Sequence, residues 1–234
     1  MLKAEIYAVI LTHIRTSAMN KAAHIHYTAQ KCFRLRERML VSASECREEA
    51  QSLSLVLNRQ YRLVNHLSKT DSEDRTNQRQ LLKLAREQYQ QTGHMQSQIS
   101  GMASGITLLA DNLLFALLKA QHYQWRDRLY VAILTEQQDD IMEDERECSL
   151  GRWIHGEGLR RFRALPGFLE LDVKHRCMHE VSRVLFERKL DSFRAEELRD
   201  TLQETEEASQ QLITALDRLD ERVSLLYPRR GDEQ

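Results

Sequence analysis

The chain is poor in residues that break helices. Among 234 residues there are 8 glycines and 2 prolines, too few for the turns of a sandwich or barrel, and no alternating β-branched runs appear. Cysteine is scarce as well. Four of them (Cys32, Cys46, Cys148 and Cys177) make no disulfide scaffold in a chain this long, and they suit a reducing compartment. No segment carries eighteen uncharged apolar residues in a row, so no membrane span is expected. The opening MLKAEIYAVILTHIRT is broken by Lys3, Glu5, His13 and Arg15, unlike the uninterrupted core of a secretory signal. Neither sign of charge prevails, and the net charge of −1 gives no global field for nucleic acid or a membrane surface. A soluble, cytoplasmic setting is expected.

What is abundant is Leu, Gln, Glu, Arg and Ala, all good helix formers. The fold class is therefore all-α: a helical bundle with a coiled-coil-like N-terminal extension. Residues 1 to about 40 show an apolar stripe of Leu2, Ile6, Val9, Ile10 and Ile14. The basic patch Lys31, Arg34, Arg36 and Arg38 follows, read as a solvated helix face. A second helix is expected over 42–68, burying Leu53, Leu57, Val64 and Leu67. The polar run SKTDSEDRTN then suits a turn and an N-cap, which places a helical hairpin tip near 70–76. In the long third helix Met95, Ile99, Met102, Ile106, Leu109, Leu113, Ala116 and Ala120 alternate by four and three. That is a coiled-coil seam, and it predicts a homodimer through these helices. The expected organisation is a helical region over 1–110, a bundle over 111–227 and a polar tail over 228–234.

The acidic run EQQDDIMEDERE (136–147) reads as a solvated connection. Gly151, Gly156, Gly158, Pro166 and Gly167 then crowd together, predicting one irregular, movable region. A helix is expected after Pro166 with a break around 190–192. The final helix repeats the apolar seam through Leu198, Leu202, Leu212, Leu216, Leu219, Val223 and Leu226, and Pro228 ends it.

Four residues stand at intervals that one tetrahedral metal can draw together: His122, Cys148, His175 and His179. Three imidazoles and a thiolate form an accepted zinc set. His175 and His179, four apart, share one helix face. Each also has a plain structural reading. His122 can be a satisfied core histidine beside Trp125, Cys148 a small buried hydrophobe, and the 175/179 spacing chance. Cys177 lies two from each of that pair and points away from their face. His155 is a rival ligand. His24 and His26, two apart, lie on different faces and read as surface histidines. Asp172 and Glu180 are near enough in sequence to orient the ligands.

QHYQWRDRLY, CSLGRW, the glycine-containing stretch with Phe168 and Leu171, and HRCMHE together resemble the chemoreceptor zinc-binding (CZB) domain family. NLLFALLKAQH and EEASQQLITALDRLDERV resemble its flanking helices, so the resemblance covers about 111–227. The N-terminal half resembles a chemoreceptor-like coiled-coil neck without the signalling tip. The resemblance implies one zinc per chain, held by His122, Cys148, His175 and His179, with Trp125, Gly151 and Trp153 supporting the site. Such domains typically end soluble chemoreceptors or precede diguanylate cyclases, and no Gly-Gly-Asp-Glu-Phe signature occurs here. The implied role is a bacterial sensor. It responds to zinc, or to hypochlorous acid oxidising Cys148, and signals by helix repacking to a chemotaxis or cyclic-di-GMP type partner. Four protein ligands leave no position for water, so no enzyme is expected. The alternative is an interaction module in which zinc only stabilises the bundle.

Overall fold

The computed structural model describes residues 4–69, 75–135, 144–188 and 190–227. Among them every regular element is helical. α1 spans Ala4–Lys69 and α2 spans Arg75–Thr135. α3 (Ser149–Trp153) runs through a π-helical turn, Ile154–Gly158, into α4 (Leu159–Phe162). α5 spans Phe168–Glu187, a 3-10 turn covers Leu190–Ser192, and α6 spans Ala195–Ser224. The expected break near residue 40 is absent. RMLVSAS (38–44) contains neither Gly nor Pro, so one helix of 66 residues continues through it. Pro228 with the tail, the acidic stretch 136–143 and the hairpin-tip residues 70–74 lie outside the described residues.

Contacts divide the chain into two units, 35–110 and 1–34 with 111–234. Within 35–110 the arms of α1 and α2 pair as an antiparallel hairpin. Arg47 donates to Thr107 Oγ1, Gln96 donates to Ser54 Oγ at 3.3 Å, and the Tyr61 and Tyr89 rings lie 6.3 Å apart. Partner numbers fall on one arm as they rise on the other. The buried stripe is made of small residues at heptad-like spacing: Ala43 and Ala50 on α1, Ala103, Thr107 and Ala110 on α2. Met95, Met102 and Leu109 of the expected seam are instead more than half exposed. Two heptad stripes run along α2, and the hairpin buries the alanine one, whose methyl groups allow the closer approach. In the basic patch Lys31, Arg34 and Arg38 are exposed as expected, and Arg36 alone departs, at 2% exposure with Glu37 3.2 Å away.

The other unit has a continuous core. Leu114, Phe115 and Leu118 of α2 meet Leu150, Trp153, Ile154 and Phe162 of the α3–α4 arm. Phe168, Leu171 and Met178 of α5 and Leu212, Leu216, Leu219 and Val223 of α6 close it. Phe33 of α1 packs against this cluster, and Gln124 of α2 donates to the Ala22 carbonyl. The glycine-rich stretch is helical in part, with a π-helical turn over Ile154–Gly158 and turns over 163–167. Gly151 and Gly158 are helical with close neighbours around them, Gly156 faces open space, and Gly167, at φ +95°, makes the turn at the start of α5. α2 also contains an 18-residue window of mean hydropathy 1.6, apolar and long enough by those measures to cross a membrane. Its buried share is 44%.

Candidate metal centre

The site begins with a cap. Cys148 is the N-cap of α3, in extended conformation, and its Sγ accepts from the Gly151 N–H at 3.2 Å. The thiol also faces the Glu145 carbonyl at 3.6 Å. This tight turn demands glycine at 151, since a Cβ there would stand 1.8 Å from the Glu145 oxygen. α5 contributes His175 and His179 one turn apart, their rings edge to face with centroids 4.8 Å apart. Cys148 Sγ and His175 Nε2 lie 3.1 Å apart. The ligating atoms of Cys148, His175 and His179 all fall within 4.8 Å of one another. A tetrahedral zinc with its usual Zn–S and Zn–N bonds sets an S···N edge of about 3.6 Å, so this donor set fits the metal with small adjustments.

His122, on α2, stands apart from that tight group while lining the same cavity of ≈ 170 Å³. Its Nε2 lies 2.8 Å from Ser209 Oγ. Trp125 stacks on the His122 ring at 6.1 Å between centroids and tilts against His179 at 5.5 Å. Burial first, then Arg126 and His179, push the His122 pKa down to about 4. Burial, with His179, His122 and His155 around it, pushes His175 down to about 3. Both rings are therefore neutral at pH 7 and keep the lone pair that a metal needs.

Residues 122–185 match the family model of the chemoreceptor zinc-binding domain. This segment carries the CZB domain. The match opens on His122 and takes in Cys148, His175 and His179. No curated protein and no solved structure matches the chain. The CZB family is a zinc-binding sensory one, and the Cys148, His175 and His179 group provides a place for such a metal.

The other expectations divide. Trp153, buried in the CZB core, meets Phe115 edge-on at 5.7 Å and packs near Phe162 and Phe168. His155 lies outside the close group, 3.6 Å from Asp172. Asp172 is part-buried beside His155, and Glu180 is exposed. Cys177 is half-buried and outside the group.

His26 of α1 is exposed, as expected, while bordering the cavity. Sequence reasoning missed two neighbours of the CZB segment. Ser209 of α6 meets His122. Asp111, fully buried, takes both Arg161 guanidinium nitrogens at 2.7 and 2.6 Å. Arg161 also reaches Glu157 at 2.8 Å, and the Tyr227 hydroxyl lies 3.4 Å from Asp111. This ion pair clasps the arm bearing Cys148 to α2. Its signal was available: a lone aspartate inside LLADNLLFALL is a buried charge that must find a partner.

Proposed function

We propose that this chain is a cytoplasmic zinc-dependent sensor whose four donors are His122, Cys148, His175 and His179. The observation that supports the reading is the grouping of two histidines with a cysteine that also caps a helix. Cys148 holds α3 in place through the Gly151 N–H, while α5 presents His175 to the same sulfur. Zinc, when bound, keeps the Cys148 sulfur as thiolate, the nucleophilic form. Hypochlorous acid reacts at that sulfur. The thiolate gives two electrons to chlorine, chloride leaves, and the oxygen remains on sulfur as sulfenic acid. An oxidised sulfur is a poorer acceptor for the Gly151 N–H and a poorer donor to metal. The α3 arm then loses its tether, and α2, clasped to that arm by Asp111 and Arg161, is shifted. Zinc loss reaches the same arm by the same route.

The output runs to a bacterial signalling protein of the chemotaxis or cyclic-di-GMP kind, and the chain acts by binding, not by catalysis. A homodimer supports it. Met95, Met102 and Leu109 form an exposed stripe at heptad spacing, the pattern that a second copy of the same helix buries.

Elemental analysis tests the site. One zinc per chain is expected in the wild type, lost or readily chelated in Cys148→Ala and His179→Ala. One equivalent of hypochlorous acid should release zinc and consume one thiol. Zinc indifferent to both substitutions overturns the reading. A purely structural zinc is the second reading, favoured by Cys148 lying within the core at 6% exposure. Chelation separates the two: a sensor stays helical and changes its assembly, whereas a structural site unfolds.

A further inference from the structure

We propose that Ser209 of α6 is a positioning residue for the metal: its Oγ accepts the Nε2 proton of His122 and so turns Nδ1 into the ligating nitrogen. The inference rests on the four-donor reading above and extends it to a helix beyond the matched segment.

Serine and threonine inside helices usually donate back to the carbonyl four residues earlier. Ser54, Ser104 and Thr205 do so here. Ser209, with no exposed surface, instead meets a ring 87 residues away in sequence, at 2.8 Å. Its oxygen is held by a chain of partners. Arg126 Nη1 lies 3.4 Å from Ser209 Oγ and 2.8 Å from Glu206, and Glu206 accepts from the Tyr130 hydroxyl at 2.6 Å. A hydroxyl oxygen has two lone pairs; Arg126 donates to one, which leaves the other open to the His122 Nε2 proton. A neutral imidazole carries one proton, and placing it on Nε2 leaves Nδ1 bare. Metal-bound histidines almost always hand their other N–H to an oxygen acceptor, which fixes tautomer and ring angle. Ser209 supplies that oxygen, and through it α6 and the Arg126–Glu206 pair gain a hold on the metal site.

The test measures zinc release into a chromogenic chelator, with zinc content and helicity, in full-length Ser209→Ala, Ser209→Thr, His122→Ala and the Ser209→Ala/His122→Ala double variant. Ser209→Ala should stay helical and release zinc about 10–100-fold faster. Ser209→Thr, which keeps the hydroxyl, should restore slow release. Beside His122→Ala, the serine change should add nothing, because its effect passes through that ring. Release unchanged or slowed in Ser209→Ala, or accelerated equally in the His122→Ala background, overturns the assignment. His122→Ala without effect on zinc would instead remove the four-donor reading, and this inference with it. A marked His122→Ala effect beside a silent Ser209→Ala removes Ser209 alone.

Discussion

Cys148 Sγ and His175 Nε2 face each other at 3.1 Å across 27 residues of sequence. One partner caps a five-residue helix and the other rises from the middle of α5, so a local motif and a tertiary contact meet on one sulfur. Cys148→Ser separates the two duties. Serine is a preferred N-cap, so the variant should keep its helicity while losing stoichiometric zinc. Cys148→Ala should lose zinc and a further ~1 kcal/mol of stability with the cap. Full zinc retention in the serine variant would show that the sulfur is not a ligand.

Glycine positions in the α3 arm should respond in opposite directions. At Gly151 a methyl group meets a backbone oxygen at 1.8 Å, whereas at Gly156 nothing lies within 4 Å. Gly151→Ala should destabilise by on the order of 1–3 kcal/mol or more and loosen zinc by displacing Cys148. Gly156→Ala should stabilise by roughly 0.4–1 kcal/mol. Urea unfolding compares them, and equal midpoints for the two would refute the account of the turn.

The two halves of the Asp111–Arg161 pair are not equivalent. Asp111 is wholly buried, while the Arg161 side chain keeps 27% of its surface and a second partner in Glu157. Removing the arginine strands a buried charge, so Arg161→Met should cost about 3–5 kcal/mol. Asp111→Ala should cost less. Chemical denaturation reads the order, and a larger loss for Asp111→Ala contradicts it.

Acid should weaken the zinc-free protein. His122 and His175 titrate near 4 and 3 when folded and near 6.5 when unfolded. The unfolded chain therefore takes up protons first as pH falls below 6.5. The stability contributed by the neutral rings is complete above that value and is lost as pH falls through the folded values, by about 3 kcal/mol for His122 alone. Urea midpoints of chelator-treated protein between pH 7 and 4 should drop accordingly, and less steeply in His175→Ala. An identical slope in that variant argues against this cause.

The exposed stripe on α2 predicts concentration-dependent assembly. Met102→Glu with Leu109→Glu should place charges on that face and shift sedimentation to the monomer while helicity is kept. A monomeric wild type, or unchanged assembly in the variant, removes this surface as the dimer contact.

Much of this architecture was legible because it follows from helix periodicity. The hairpin, α5 after Pro166 and the α6 seam all rest on apolar spacing, and the Cys-x-Leu-Gly-x-Trp element marked the family. What escaped depended on choices that spacing leaves open. Two heptad stripes were present on α2, and only side-chain size selects which one the hairpin buries. Gly151 and Gly158 looked like a loop because single-residue propensity says nothing of the close packing around them, against the Glu145 backbone and against Trp153 and Phe168. Ser209 and Asp111 were missed since each meets its partners only through tertiary folding.

Alanine side chains have no rotamers. Where Ala43, Ala50, Ala103 and Ala110 form the buried stripe of the hairpin, a small displacement of one arm meets nothing that can swing aside to absorb it. Larger residues would soak up such a shift by repacking, turning motion into local disorder. A stripe of methyl groups offers no such give, so the two arms are held to one close spacing along the hairpin.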